Sequence, residues 1–397
     1  MLLNRERALD VMDRHGLDAL VATTPENVHY LSDYGTQHSY NFAPGGISCA
    51  VLPRSDDVAA TLIVHEFEVP ALAESPSWMP ELRALSGIGF YVADEEGLTA
   101  YERRTRELAT NAAGSGIANR QRALGALLRD LGLAEATLGF DDVRIMAELG
   151  ENELVEAGLR DAVNVFREVR MVKTPAELEL LRHASRINQA ALVSTASLAQ
   201  EGVTCEELIR HYRSFMASQG GFGSHITGGG RDRPWLSNWN TAYRLKEGDI
   251  LHMDPAGWYE RYWGDQGRTR FVGTPTARFD AFYGALRDCH AVVDPMLQPG
   301  VSSAEIEAEA HRAIGEALPP EGFVVLMHSI GIEQYDHPQG LGDFLSDPFT
   351  LLEGMVVNFE TVYFELGWGS LQLEDSYLIG TGEPERLGTL AQEPFTG

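Results

Sequence analysis

The spacing of apolar and polar positions changes period along this chain. Residues 4–16, NRERALDVMDRHG, repeat apolar side chains at helical spacing, and LDALVATT (17–24) follows as a buried strand. ISCAVLPR (47–54), ATLIVHE (60–66) and ATLGFDD (136–142) have strand composition, while ANRQRALGALLRDLG (118–132) returns to the helical period. PENVHYLSDYG (25–35) reads as loop and turn. Helices alternating with strands imply an α/β layer domain over roughly the first 165 residues. A boundary falls near Glu168–Thr174, dividing the chain into domains 1–168 and 169–397. Residues 169–200 then form a long amphipathic helix. Thr174 is its N-cap, Pro175 its first helical residue, and Glu177 closes a capping box.

The second part carries a faint internal repeat. Residues 197–217 and 296–314 each contain a helix, a Gly-Val step and a capping box, Thr204 with Glu207 and Ser302 with Glu305. Each copy precedes a pair of carboxylates flanked by strand-like runs. Asp254 and Asp265 lie eleven positions apart, and Glu360 and Glu374 fourteen apart, with His328 between the pairs in LMHSIG. A lone aspartate at a strand end is usually a turn or a solvated charge, so the argument rests on the set. Four carboxylates and an imidazole gather only around cations, and two similar halves would place a dinuclear site on their pseudo-twofold axis.

Composition narrows the partners. The length of 397 residues suits two domains, and 44% hydrophobic with 22% charged residues is ordinary for a globular protein. A formal charge of −27 without a basic stripe argues against nucleic acid or an anionic membrane as partner. Cys49, Cys205 and Cys289 form no CxxC pair and fit buried thiols in a reducing compartment. No run approaches the length of a membrane span, and the first residues lack a signal-peptide core, so a cytoplasmic location is expected.

These residues resemble the aminopeptidase P, prolidase and creatinase family, and the resemblance covers nearly the whole chain. LDALVATTPENVHYLSDY is similar to the family's N-terminal domain. The segment from Asp254 to Gly273 is similar to its first ligand hairpin, and the glutamate pair has the family's spacing. The resemblance implies a creatinase-like α/β N-terminal domain and an α+β pita-bread catalytic domain with an internal pseudo-twofold repeat. It further implies a homodimer that cleaves Xaa-Pro peptide bonds in small proline-containing dipeptides, much as a bacterial Xaa-Pro dipeptidase does. Asp254 and Asp265 would bind or bridge two divalent metals, His328 would bind one, Glu374 would bridge, and Glu360 would both bind and act as general base. Oxygen-rich ligation with one imidazole favours manganese, with iron, cobalt or zinc as other candidates.

The surrounding positions depart from the family pattern. Many Xaa-Pro peptidases of the family have histidines where this chain has Val324 and Tyr335. Gln372 replaces an arginine, Gly267 a threonine, and Thr361 and Val362 a Pro-Gly pair. Tyr335 and His337 are therefore the candidates for proton shuttling and for binding a developing oxyanion. His225, before a Gly-rich loop, and His38, in an N-terminal-domain loop, are candidate substrate contacts. His252, two positions before Asp254, could support the ligands. The altered shell also suits a second activity class, a metal-dependent hydrolase of small C–N compounds or a dimethylsulfoniopropionate-lyase-like enzyme. Against the lyase, the position two after the first ligand is Ala256 rather than a further aspartate. Five intact ligands weigh against a non-catalytic binding module.

Overall fold

Six strands in the first 170 residues form one mixed sheet: β1 (Ala19–Ala22), β2 (Cys49–Pro53), β3 (Thr61–His65), β4 (Glu81–Leu85), β5 (Thr137–Phe140) and β6 (Gly158–Asp161), in the order β4-β3-β2-β1-β5-β6. The computed structural model describes all residues except 36–47, 88–96, 113–118, 153–154, 157, 228–229, 232–241, 339–347 and 397. Two units result, Met1–Arg170 and Met171–Gly397. In the first, Val21, Val51, Ile63 and Phe140 pack with Leu124, Leu127 and Leu128 of helix Arg120–Asp130. Among the described residues, no helix is long and apolar enough to cross a membrane.

The loop expected at 25–35 is instead a helix, Pro25–Ser32. Pro25 holds the first helical position, and Val28, Tyr30 and Leu31 are buried. Its entry is fixed by buried Asp141, whose carboxylate accepts from the Thr23 and Thr24 amides at 2.8 and 2.9 Å and from the Asn27 side chain at 3.1 Å. Thr24 makes no side-chain cap bond, so the entry relies on a partner more than a hundred positions away.

The second unit contains two four-stranded sheets. One comprises β7 (Phe222–Thr227), β8 (Ile250–Tyr259), β9 (Tyr262–Asp265) and β10 (Arg268–Phe271). The other comprises β11 (Phe323–Ser329), β12 (Val356–Glu365), β13 (Gly369–Leu378) and β14 (Glu385–Arg386). Helices Pro175–Ala196 and Cys205–Ser218 bury Ile187, Leu208 and Tyr212 against Ile226, Leu251 and Met253 of the first sheet. Helices Ala277–Val293 and Ser303–Ile314 bury Phe279, Leu286 and Ile306 against Val325, Phe359 and Leu373 of the second. All three expected capping boxes form, at Thr174–Glu177, Thr204–Glu207 and Ser302–Glu305. The three cysteines are free and buried.

Each sheet has a hairpin that carries two of the candidate carboxylates. Tyr259 pairs with Tyr262, so β8 and β9 turn through Glu260 and Arg261, at φ 44° and 73°. Two left-handed residues match a two-residue hairpin turn to the twist of its strands. In the other, Glu365 pairs with Gly369, and the turn contains Gly367 at φ 88°.

Candidate metal centre

The two hairpins are joined where the carboxylates lie. Gly267 and Glu374 exchange backbone hydrogen bonds at 3.3 and 3.1 Å. The Thr269 hydroxyl accepts from the Gln372 amide at 2.8 Å and donates to its carbonyl at 3.1 Å. The Ser376 hydroxyl donates to the Asp265 carbonyl at 3.0 Å. Fully buried Arg268 adds its own links, donating to Asp375 at 2.8 Å and to the Glu374 carbonyl at 2.6 Å. A guanidinium's fork suits this bridging because it satisfies several acceptors from one rigid plane.

This join brings Asp265, His328 and Glu374 together, with one ligand atom of each within 4.8 Å of the others and all three buried. His328 Nε2 lies 4.0 Å from Glu374 Oε1. The His328 Nδ1–H donates to the Ser329 carbonyl at 3.1 Å, which leaves Nε2 with its lone pair toward the carboxylates. Glu360 stands directly opposite Glu374 in the β12–β13 register. Asp254 lies on β8, and β9 places Asp265 opposite Ala256, two positions further along.

The electrostatics express the crowding. Burial, and then the Asp254 charge, hold the Asp265 carboxyl well above the usual range. Burial, then Asp254 and Asp265, do the same to Glu360, which is half-buried. Glu374 is raised by burial, then by Asp265, Glu360 and Asp254. Neutral amides partly offset this repulsion. Gln334 donates to Asp265 Oδ2 at 2.9 Å, and Asn358 to Glu374 Oε1 at 2.8 Å. Gln372 Nε2 reaches both Glu360 Oε1 at 2.8 Å and Glu374 Oε2 at 3.3 Å. Among the described residues, His328 is the one basic side chain within ion-pair distance of these four carboxylates. Among the described residues, buried Asp265 Oδ1 has no hydrogen-bond partner. Such a donor set fits divalent cations, since an uncompensated cluster of buried carboxylates is otherwise costly.

The remaining candidates fall at different places. Tyr335 lies against His328 with ring centroids 4.6 Å apart and planes tilted by 47°, and is 45% exposed. Burial and the charges of all four carboxylates raise its hydroxyl pKa, so it stays protonated. His337 is half-buried in the same segment, and its backbone N–H donates to Asp336 at 3.0 Å. His225 lies on β7 opposite Ala256, with Nδ1 3.4 Å from the Ser224 hydroxyl. His252 turns to Ser370, 2.6 Å from Nδ1, and burial pushes its pKa down to about 4. His38 lies outside the described residues. Gln334 and Asn358 were not singled out in the sequence. The position of Asn358, two before Glu360 on one strand, was the available signal, because alternate strand residues share a face.

A model of metallopeptidase family M24 matches residues 179–381. The chain belongs to metallopeptidase family M24. A model of the creatinase/prolidase N-terminal domain matches residues 4–172 of this M24 chain. A Xaa-Pro dipeptidase of Pyrococcus furiosus is 24% identical over 393 residues, covering 98% of each chain. The structure of a Xaa-Pro dipeptidase from Bacillus anthracis superimposes with a TM-score of 0.78 at 21% identity, covering 99% of this chain and 98% of that one. The prolidase from Pyrococcus horikoshii OT3 gives 0.75 at 20% identity, covering 98% and 99%. These likenesses establish the fold of the M24 member, a creatinase-type N-terminal domain followed by a pita-bread catalytic domain.

Proposed function

We propose that this M24 enzyme is a dinuclear, manganese-type hydrolase of Xaa-Pro dipeptides. The observation that carries the reading is the convergence of Asp265, His328 and Glu374, beside Asp254 and Glu360, with neutral amides as their main polar partners. Asp254, Asp265, His328, Glu360 and Glu374 would hold the two cations. When bound, these supply Lewis acidity and lower the pKa of an attacking water. Glu360 is the general base, because it is half-buried and one of its oxygens is steadied by Gln372. It takes the proton from the water and returns it to the departing proline nitrogen. Tyr335 is the oxyanion donor. Its hydroxyl keeps its proton beside the carboxylates and can donate to oxygen charge as it develops. Relatives named Xaa-Pro dipeptidase over the full length support the dipeptide class.

The deciding experiment is proline release from Xaa-Pro dipeptides and tripeptides by chelated protein, before and after manganese is restored. Manganese-dependent cleavage, with dipeptides preferred, is the expected result. No cleavage by protein with metal demonstrably bound refutes the peptidase reading and turns attention to small C–N substrates.

A further inference from the structure

Helices Pro175–Ala196 and Ala277–Val293 occupy matching places in the two halves of the second unit. Each is followed by a second α-helix and four strands, with the carboxylate pair on the second and third strands. Each starts behind a threonine, Thr174 or Thr276, whose hydroxyl accepts from the amide three positions on. Thirteen positions beyond its first residue, each helix places a fully buried polar side chain, Asn188 in the first and His290 in the second.

Strand pairing along the first hairpin opens beside its two aspartates. Met253 pairs with Arg268 and Ala256 with Asp265, with no change of register between them. Among the described residues, the two intervening pairs, Asp254 with Gly267 and Pro255 with Gln266, are missing. Pro255 has no amide hydrogen to give, and the Gly267 amide donates to the Glu374 carbonyl instead. Asn188 fills the opening. Its Nδ2 donates to the Pro255 carbonyl at 2.7 Å and to Gln266 Oε1 at 3.1 Å. Its Oδ1 accepts from the Tyr212 hydroxyl at 2.6 Å, which fixes the way the amide faces. Pro255 follows Asp254 and Gln266 follows Asp265, so one side chain holds the neighbours of both aspartates.

His290 plays the matching part beneath the second hairpin. Its Nε2 lies 3.1 Å from the Leu373 carbonyl and 3.2 Å from Thr361 Oγ1. A carbonyl only accepts, so the ring proton sits on Nε2. Burial keeps the ring neutral, with its pKa pushed down to about 3. The Thr361 hydroxyl donates to the same carbonyl at 3.3 Å. Thr361 follows Glu360, Leu373 precedes Glu374, and the two are register partners.

We propose that Asn188 and His290 are equivalent positioning residues, each setting the separation of one carboxylate pair so that the four carboxylates can share two cations. The proposal rests on the dinuclear reading above. Apolar packing of the helices is non-directional. The bonds from Asn188 and His290 are directional, and they end on residues adjoining each carboxylate. Outer groups that orient metal ligands are typically worth about 10–100-fold in affinity.

The test is calorimetric titration of the chelated full-length protein with manganese, in wild type, Asn188→Leu, His290→Leu and His290→Gln. The glutamine amide can place an N–H where Nε2 stands. Leu208→Ala, which truncates the core between helix Cys205–Ser218 and the first sheet, controls for lost stability, and urea unfolding of each chelated protein ranks that loss. The expected result is a manganese Kd raised roughly tenfold or more in both leucine variants. It returns close to wild type in His290→Gln and does not move in Leu208→Ala, although that protein unfolds at lower urea. Should a leucine variant fail to fold, Asn188→Ser and His290→Asn, polar but too short to reach, carry the same comparison with the same expected loss. Variants that bind manganese as tightly as wild type overturn the proposal, and so does an equal weakening in Leu208→Ala. Wild type that takes up neither manganese nor zinc sinks the dinuclear reading and the proposal with it. If wild type binds manganese but cleaves no Xaa-Pro dipeptide, the peptidase reading alone fails, and a raised Kd in the leucine variants still supports the positioning role.

Discussion

Gly267 and Gln372 make a sharp test of how the ligand shell is built. A methyl group at Gly267 would lie 2.3 Å from Gln372 Cδ and 2.5 Å from its Nε2. Gln372 is fully buried, and its backbone is held by Thr269 through both the amide and the carbonyl. In Gly267→Ala the side chain must therefore rotate away, giving up its bonds to Glu360 and Glu374. Overpacking costs about 1–3 kcal/mol, and a hydrogen bond to a charged group is worth about 1.5–3 kcal/mol. A loss of about 3 kcal/mol or more follows, or a fall in Tm of roughly 6–12 °C for a unit of this size. Gln372→Ala alone loses the bonds and leaves a hole. In the double variant the new methyl enters that hole, so the combined loss should be smaller than the sum by about 1–3 kcal/mol. Urea unfolding of the four chelated proteins gives the cycle. Additivity to within about 0.5 kcal/mol would refute the argument that the glycine exists to admit the amide.

Three further outcomes are expected. Asp265→Asn should stabilise the chelated protein by relieving like charge, yet abolish the stabilisation by manganese, which in the wild type reaches about 2.7 kcal/mol at a hundred times Kd; calorimetric scans with and without the ion check both signs. Burial pushes Glu177 up from 4.5 to about 7. The folded state thus keeps a proton that the unfolded chain loses, and this contribution is full below about pH 4.5 and lost as pH rises through 7. It amounts to about 3 kcal/mol, and Glu177→Gln, which can still close the capping box, should lose stability less steeply than wild type across that window; parallel curves would contradict the assignment. Arg268→Met leaves Asp375 buried without its main cation and should destabilise by about 3–5 kcal/mol in denaturant titrations.

Much of this could be read from the residues because the informative signals are local. A capping box needs residues three apart, so Thr174, Thr204 and Ser302 announce their helices directly. The carboxylate pairs are legible for a related reason, since each sits in one strand hairpin. What escapes is set by register between distant strands. The reciprocal bonds of Gly267 with Glu374 set Asp265 beside Glu374 and Gly267 against Gln372, and no spacing within either hairpin encodes those partnerships. The Pro25–Ser32 helix is missed similarly, because Asp141 secures its entry from afar. Gln372 was visible as an unusual residue, but its use depends on the room left by Gly267.

The split of the proposed ligands between two hairpins also sets an order of events during synthesis. Asp254 and Asp265 leave the ribosome long before Glu374, and the bonds that align the hairpins include both Gly267 and Glu374. A nascent chain ending ahead of β13 would present Asp254, Asp265, His328 and Glu360 without Glu374, the glutamate that completes the cluster. On the proposed function, metal loading would be deferred until the second hairpin has docked on the first. Partially made chains would then compete poorly for scarce cellular metal, and ion capture would report a finished catalytic unit.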